Sequence, residues 1–169
     1  MDSEEILQRL MDRQAVEDVL YRYASTIDQK DYARLRSVFT DGAVAQYGEG
    51  PEMHGADTIV EWIREMCVTQ GFQHHLINVY HVDFDADGDE ARTLTYHTSH
   101  QIRTAEPDTD TLIVGRYRDV VRRTGDGWKI VDKRMEVGWI EERRYPQSAA
   151  ADRERSQSRA AQDRSAASR

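Results

Sequence analysis

Val16, Val19, Leu20, Tyr23 and Ile27 recur at the three- and four-residue spacing of one helix face, which predicts a long amphipathic helix over residues 4–27. Asp28 follows about 100° round from Ile27, at the edge of that stripe. Asp31 reads as the N-cap of a short helix carrying Ala33, Leu35, Val38 and Phe39, which Thr40-Asp41-Gly42 ends. Residues 43–47 read as a strand and residues 48–51 as a turn. A third helix is expected over residues 56–69, burying Ile59, Val60, Ile63 and Met66/Cys67, with Gly71 stopping it. From there the pattern is that of strands, expected over residues 74–84, 91–103, 112–123 and 128–140. Asp126-Gly127 closes the last pair as a hairpin. Three helices followed by an antiparallel meander define an α+β fold, with the helices on one face of a curved sheet.

Composition divides the chain. Residues 147–169 contain no Leu, Ile, Val, Phe, Tyr, Trp or Met, so they are expected to be a disordered, low-complexity polar tail on one domain spanning residues 1–146. A net charge of -8 argues against a nucleic-acid partner, which would demand a basic face. No apolar run approaches the ~18–20 residues of a membrane span, so no membrane partner is expected. The acidic start, Asp2-Ser3-Glu4-Glu5, is unlike a secretory leader, and a single cysteine, Cys67, leaves no internal disulfide or thiolate cluster. A cytoplasmic protein is the simplest expectation. Phosphate-binding and dinucleotide-binding glycine patterns are missing, as are a Gly-x-Ser-x-Gly elbow and zinc-ligand spacings, so no cofactor and no metal are expected.

Chemistry is suggested by the histidines. His74, His75, His81, His97 and His100 crowd the first two long strands, with His54 in a loop. A strand histidine alone is ordinarily a solvent-facing polar residue; function needs a partner. Asp28 can supply one, because the helix whose stripe it borders must face the sheet. A carboxylate that accepts one imidazole N–H fixes the tautomer and makes the other nitrogen a base effective at neutral pH. A carboxylate at a helix C-terminus is disfavoured by the helix dipole, which also asks for a reason. Tyr23, one turn upstream, could donate to a substrate oxygen, or simply pack in the core.

The run Tyr23-Ala-Ser-Thr-Ile-Asp28-Gln-Lys-Asp31-Tyr32, with Val38-Phe39-Thr40-Asp41-Gly42-Ala43, resembles the opening of SnoaL-like proteins of the nuclear-transport-factor-two-like superfamily. His54-Gly55-Ala56, His74-His75-Leu76-Ile77-Asn78, Gly115-Arg-Tyr117-Arg-Asp119 and Gly127-Trp128-Lys129-Ile130 continue the likeness in order. The resemblance implies a cone-shaped curved sheet wrapped by the three helices. It is nearest to scytalone dehydratase, bile-acid dehydratase and hexachlorocyclohexane dehydrochlorinase, lyases with an Asp ending the first helix and a His opening the first long strand. It implies Asp28 and His74 as the catalytic pair, because Asn78 follows His74 by four residues; His75 points to the opposite sheet face. Tyr23 and His97 are the implied assistants, and Lys133 or Arg134 a basic residue on the last strand.

Val19, Ile27, Phe39, Trp62, Ile63, Met66, Asn78 and Arg134 are expected to contact substrate. The implied activity is a cofactor-independent, dehydratase-type elimination on a small hydrophobic cyclic or polyketide-like molecule. A SnoaL-like cyclase or isomerase using the same pocket, or a non-catalytic ligand-binding or assembly module, is the alternative. Glu49 is out of step with the base that ketosteroid isomerases of this fold carry after the first strand, which disfavours that mechanism. The uncovered sheet face implies a homodimer or homotrimer.

Overall fold

The computed structural model describes residues 2–145; the tail expectation for residues 147–169 lies outside the described residues. Helix α1 (Ser3–Asp28) starts on a capping box, in which Asp2 accepts from the Glu4 and Glu5 amides and the Glu5 carboxylate accepts from the Asp2 amide. Its second half buries Val16, Val19, Leu20, Tyr23 and Ile27, the stripe its periodicity predicts. Beyond Asp28 the chain reverses through Lys30, a non-glycine residue at φ 54°, whose amide bonds back to the Ile27 carbonyl. Asp31 then caps α2 (Tyr32–Ser37) by accepting from the Arg34 amide.

Strands β1 (Phe39–Tyr47) and β2 (Met53–His54) precede α3 (Ala56–Cys67), and the long strands follow: β3 (Gln70–Phe84), β4 (Glu90–Arg103), β5 (Thr109–Thr124) and β6 (Gly127–Arg144). The sheet order is β2-β1-β6-β5-β4-β3. All pairings are antiparallel except β1 with β6, which run parallel, so the sheet is mixed where the strand pattern gave a purely antiparallel one. α3 ends two residues before its predicted stop and β3 starts four residues earlier than predicted. The chain enters the sheet at once because Gln70 pairs with Arg103, and the Lys30 ammonium donates to the Gln70 carbonyl at 2.5 Å.

Curvature comes partly from bulges. The β5–β6 register shifts at Val114/Gly115, where a Cβ on Gly115 would lie 2.4 Å from the Glu136 carbonyl oxygen, so only glycine admits this approach. The sheet stays open and folds over α1 and α3. Its inner face and the two helices share a core that includes Leu20, Phe39, Ile59, Ile63, Val121 and Ile130. Its outer face leaves Leu76, Tyr80, Tyr96 and Trp139 exposed. Among the described residues no helix is long and apolar enough to cross a membrane.

Candidate active site

Strand register arranges the inner face in rungs. At the mouth Gln73 faces Gln101; next come His75 and Ser99, then Ile77 and His97, with Thr95 opposite Tyr117 and Thr93 opposite Asp119 deeper still. Lys133 pairs with Asp119 across β5 and β6. Gln73, Gln101, His75, Ser99, His97 and Tyr117, with α1 and α3, line a cavity of about 190 Å³. Its walls include Ile27, Tyr47, Trp62, Ile63, Met66, Ile113 and Met135, and His75, His97, Tyr23 and Tyr117 reach it. A wider cleft of about 630 Å³ lies between the start of α1 and the loop before β4, but it is a charged surface groove in which Asp12 is already paired with Arg123 at 2.8 Å.

Asp28 is the last residue of α1 and points at the start of β3. Its Oδ1 is 2.5 Å from His75 Nδ1, and its Oδ2 accepts the His75 backbone N–H at 2.9 Å. Two N–H groups thus hold the carboxylate against the unfavourable helix dipole. With Nδ1–H donated to Asp28, the bare Nε2 is the acceptor on a ring that borders the cavity.

The pairing expected for His74 therefore belongs to His75. Successive residues of a strand face opposite sides, and the odd-numbered residues here face inward. His74 lies on the outer face, stacked on His100 with ring centroids 6.3 Å apart. His100 makes an aspartate contact of its own, Nδ1 to Asp110 Oδ2 at 2.6 Å, on that outer face. Asn78 shares His74's parity and is exposed outside. Arg134 also faces away: it is paired with Asp132 at 2.6 Å and Glu52 at 2.5 Å, and its neighbour Lys133 takes the inward place. Val19 and Phe39 are core residues behind the wall, whereas Ile27, Trp62, Ile63 and Met66 line the cavity. The sequence reading missed Tyr47, Tyr117, Gln70, Gln73 and Ser99; the inward parity of Ile77 and Val79 was the available signal for Gln73 and His75.

Below His75 the site is electrostatically organised. The His97 ring stacks on His75 at 5.7 Å and touches Tyr117 at 4.8 Å. Tyr23 donates its hydroxyl to Tyr47 at 2.9 Å, which leaves the Tyr47 O–H free to donate onward. Beneath them the Lys133 ammonium lies 3.0 Å from Asp119 Oδ2, with the Tyr23 and Tyr117 ring centroids at 3.9 and 3.8 Å. Burial pushes Lys133 down and Asp119 up, and their mutual attraction opposes both shifts. Among the described residues no three His, Cys, Asp or Glu side chains are grouped to hold a metal ion.

Burial, reinforced by His75 and Lys133, pushes His97 down to about 3, so its imidazole is neutral at ordinary pH. The unfolded chain protonates this ring near its ordinary value of about 6.5, and the fold resists until far lower pH. Stability is therefore intact above that value and is lost on acidification, by roughly 1.4 kcal/mol per pH unit, over a window reaching down to about 3. His97→Gln is expected to remove that part of the slope in urea-unfolding midpoints between about pH 4 and 7. Parallel curves for the two proteins would contradict the assignment.

A three-helix, open-cone fold with a cavity between helices and sheet is the small-molecule-binding scaffold of the nuclear-transport-factor-two-like class. Residues 8–134 match the model of the SnoaL-like domain, and the chain belongs to that family. An uncharacterised protein of Mycobacterium tuberculosis is 27% identical over 130 residues, covering 76% of this chain and 86% of that one. A solved structure from Novosphingobium aromaticivorans, provisionally named a scytalone dehydratase, superposes with a TM-score of 0.72 at 18% identity, covering 81% of this chain and 91% of that one. The hexachlorocyclohexane dehydrochlorinase LinA-type3 of Novosphingobium barchaimii gives 0.72 at 16% identity, covering 81% and 93%. Both structural likenesses establish the fold.

Proposed function

We propose that this protein is a cytoplasmic, cofactor-independent lyase that removes a proton from a small cyclic substrate and expels a leaving group from the neighbouring carbon. The observation that carries the reading is the two-point grip of Asp28 on His75, whose ring borders a mostly apolar cavity. His75 Nε2 takes the proton, and Asp28 stabilises the imidazolium that results. Neutral His97 stands one rung deeper and Tyr47 and Tyr117 two, where they can donate to a carbonyl or departing oxygen. The surrounding apolar walls limit water and strengthen these interactions. The dehydratase and dehydrochlorinase neighbours are eliminating enzymes by name, which supports the same reaction class here.

3-Hydroxycyclohexanone is a suitable probe. The carbon–hydrogen bond next to the carbonyl breaks onto His75, the electron pair forms the double bond, and the hydroxyl leaves as water with the proton returned by the imidazolium. Appearance of conjugated enone absorbance above the buffer rate is expected. No enone from this ketone and no chloride release from hexachlorocyclohexane would together count against a lyase.

The exposed outer-face residues Leu76, Tyr80, Tyr96 and Trp139 suit a homodimer or homotrimer interface. Light scattering is expected to give two or three times the 19.6 kDa chain mass, and a single-chain mass would contradict this.

A further inference from the structure

The cavity has two chemically different ends. The deep end presents donors, the tyrosine hydroxyls. The mouth presents acceptors: the amide oxygens of Gln70 and Gln73 and the Ser99 hydroxyl oxygen are buried and have no hydrogen-bond partner among the described residues. These residues are only 9%, 7% and 0% exposed, so bulk water does not serve them. Their placement is built. Gln73 donates its amide Nε2 to Cys67 Sγ at 3.2 Å, which fixes the amide plane and keeps the oxygen off that partner. Gln70 is held through its backbone carbonyl by Lys30. A buried carbonyl oxygen without a donor is unfavourable, and a leucine or methionine would fill the same space without that cost. Two glutamines and a serine in this position therefore ask for donors from a ligand.

We propose that Gln70, Gln73 and Ser99 form a recognition collar for a hydroxyl carried by a single-ring substrate, distinct from the group that leaves. This rests on the reading of His75 as the base on the same rung as Ser99. A void of about 150 Å³ takes benzene, so the 190 Å³ here fits one substituted ring. Gln73 precedes His75 by two residues on the same face of β3, about 7 Å along the strand, so the collar lies on the mouth side of the base and the tyrosines on its deep side. Trp62, stacked on Tyr47 with centroids 4.9 Å apart, gives the ring an aromatic wall. The substrate class is thus a monocyclic ketone with its carbonyl toward the tyrosines and a free hydroxyl toward the mouth.

Isothermal titration with 4-hydroxycyclohexanone, 4-methoxycyclohexanone and 2-decalone tests this on the full chain. The methoxy compound keeps ring and oxygen but cannot donate. The hydroxy ketone is expected to bind at least about tenfold more tightly than the methoxy ketone, and decalone more weakly than either. In Gln73→Leu the hydroxyl preference is expected to fall to within about threefold; Ser99→Ala, a smaller change, reads the same contact should the leucine variant fold poorly. Equal binding of hydroxy and methoxy ketones, a preference that survives both substitutions, tight decalone binding, or no binding by any of the three would overturn the collar. Deuterium uptake beside the carbonyl, followed by NMR in the same samples, reads the base separately. Uptake without hydroxyl preference sinks the collar alone, and preference without uptake sinks the proton abstraction alone.

Discussion

His75→Gln is expected to lower kcat/KM for elimination from 3-hydroxycyclohexanone by about 10²–10⁴-fold, the usual worth of a positioned general base. Asp28→Asn should lose a comparable factor, because an amide in place of the carboxylate no longer holds Nδ1 as the donor and leaves the ring free to take the wrong tautomer. His74→Gln should stay within about threefold, since that imidazole lies on the far side of the sheet, against His100. The three variants together separate the two adjacent histidines. A large loss for His74→Gln with His75→Gln active would reverse the assignment.

The second large effect is on stability. Lys133 and Asp119 are both buried, 1% and 2% exposed, and each is the other's counter-ion. Lys133→Met leaves the Asp119 carboxylate buried without its partner and removes a cation lodged between two tyrosine rings. A loss of about 3–5 kcal/mol in urea unfolding is expected. Replacing both, as Lys133→Met with Asp119→Leu, should recover most of it, because an apolar pair of similar volume avoids the desolvation of two charges. A single change costing under about 1 kcal/mol would mean that the pair is not sequestered as described.

Much of the scaffold was legible because helices declare a face. The α1 stripe from Val16 to Ile27 and the α3 set Ile59, Val60 and Ile63 recur at helical spacing and are buried as expected. The strands gave length and order but not which side faced in. In β3 both faces carry apolar residues: Leu76 and Tyr80 outside, Ile77 and Val79 inside. The usual rule of apolar within and polar without fails over the part of the inner face that lines the cavity, although deeper positions such as Val121 and Ile130 keep it. Gln73, His75, His97, Ser99, Asp119 and Lys133 point inward while Trp139 and Tyr96 are exposed outside. A choice of parity resting on Asn78 therefore selected His74, one residue from the ring that meets Asp28. The same single-residue step separates Lys133 from Arg134. Tyr47 was hidden for a different reason: it reaches the site through the parallel β1–β6 pairing, beside Met135, a contact far apart in sequence.

Deuterium exchange into cyclohexanone at the carbons flanking its carbonyl, followed by proton NMR at neutral pD, is the most direct test of the base, because it isolates proton removal from departure of any group. The wild-type protein is expected to catalyse that exchange at least about a hundredfold faster than the Asp28→Asn variant. Equal rates in the two proteins would show that the acid at the end of α1 does not activate an imidazole, and the proposed chemistry would fall.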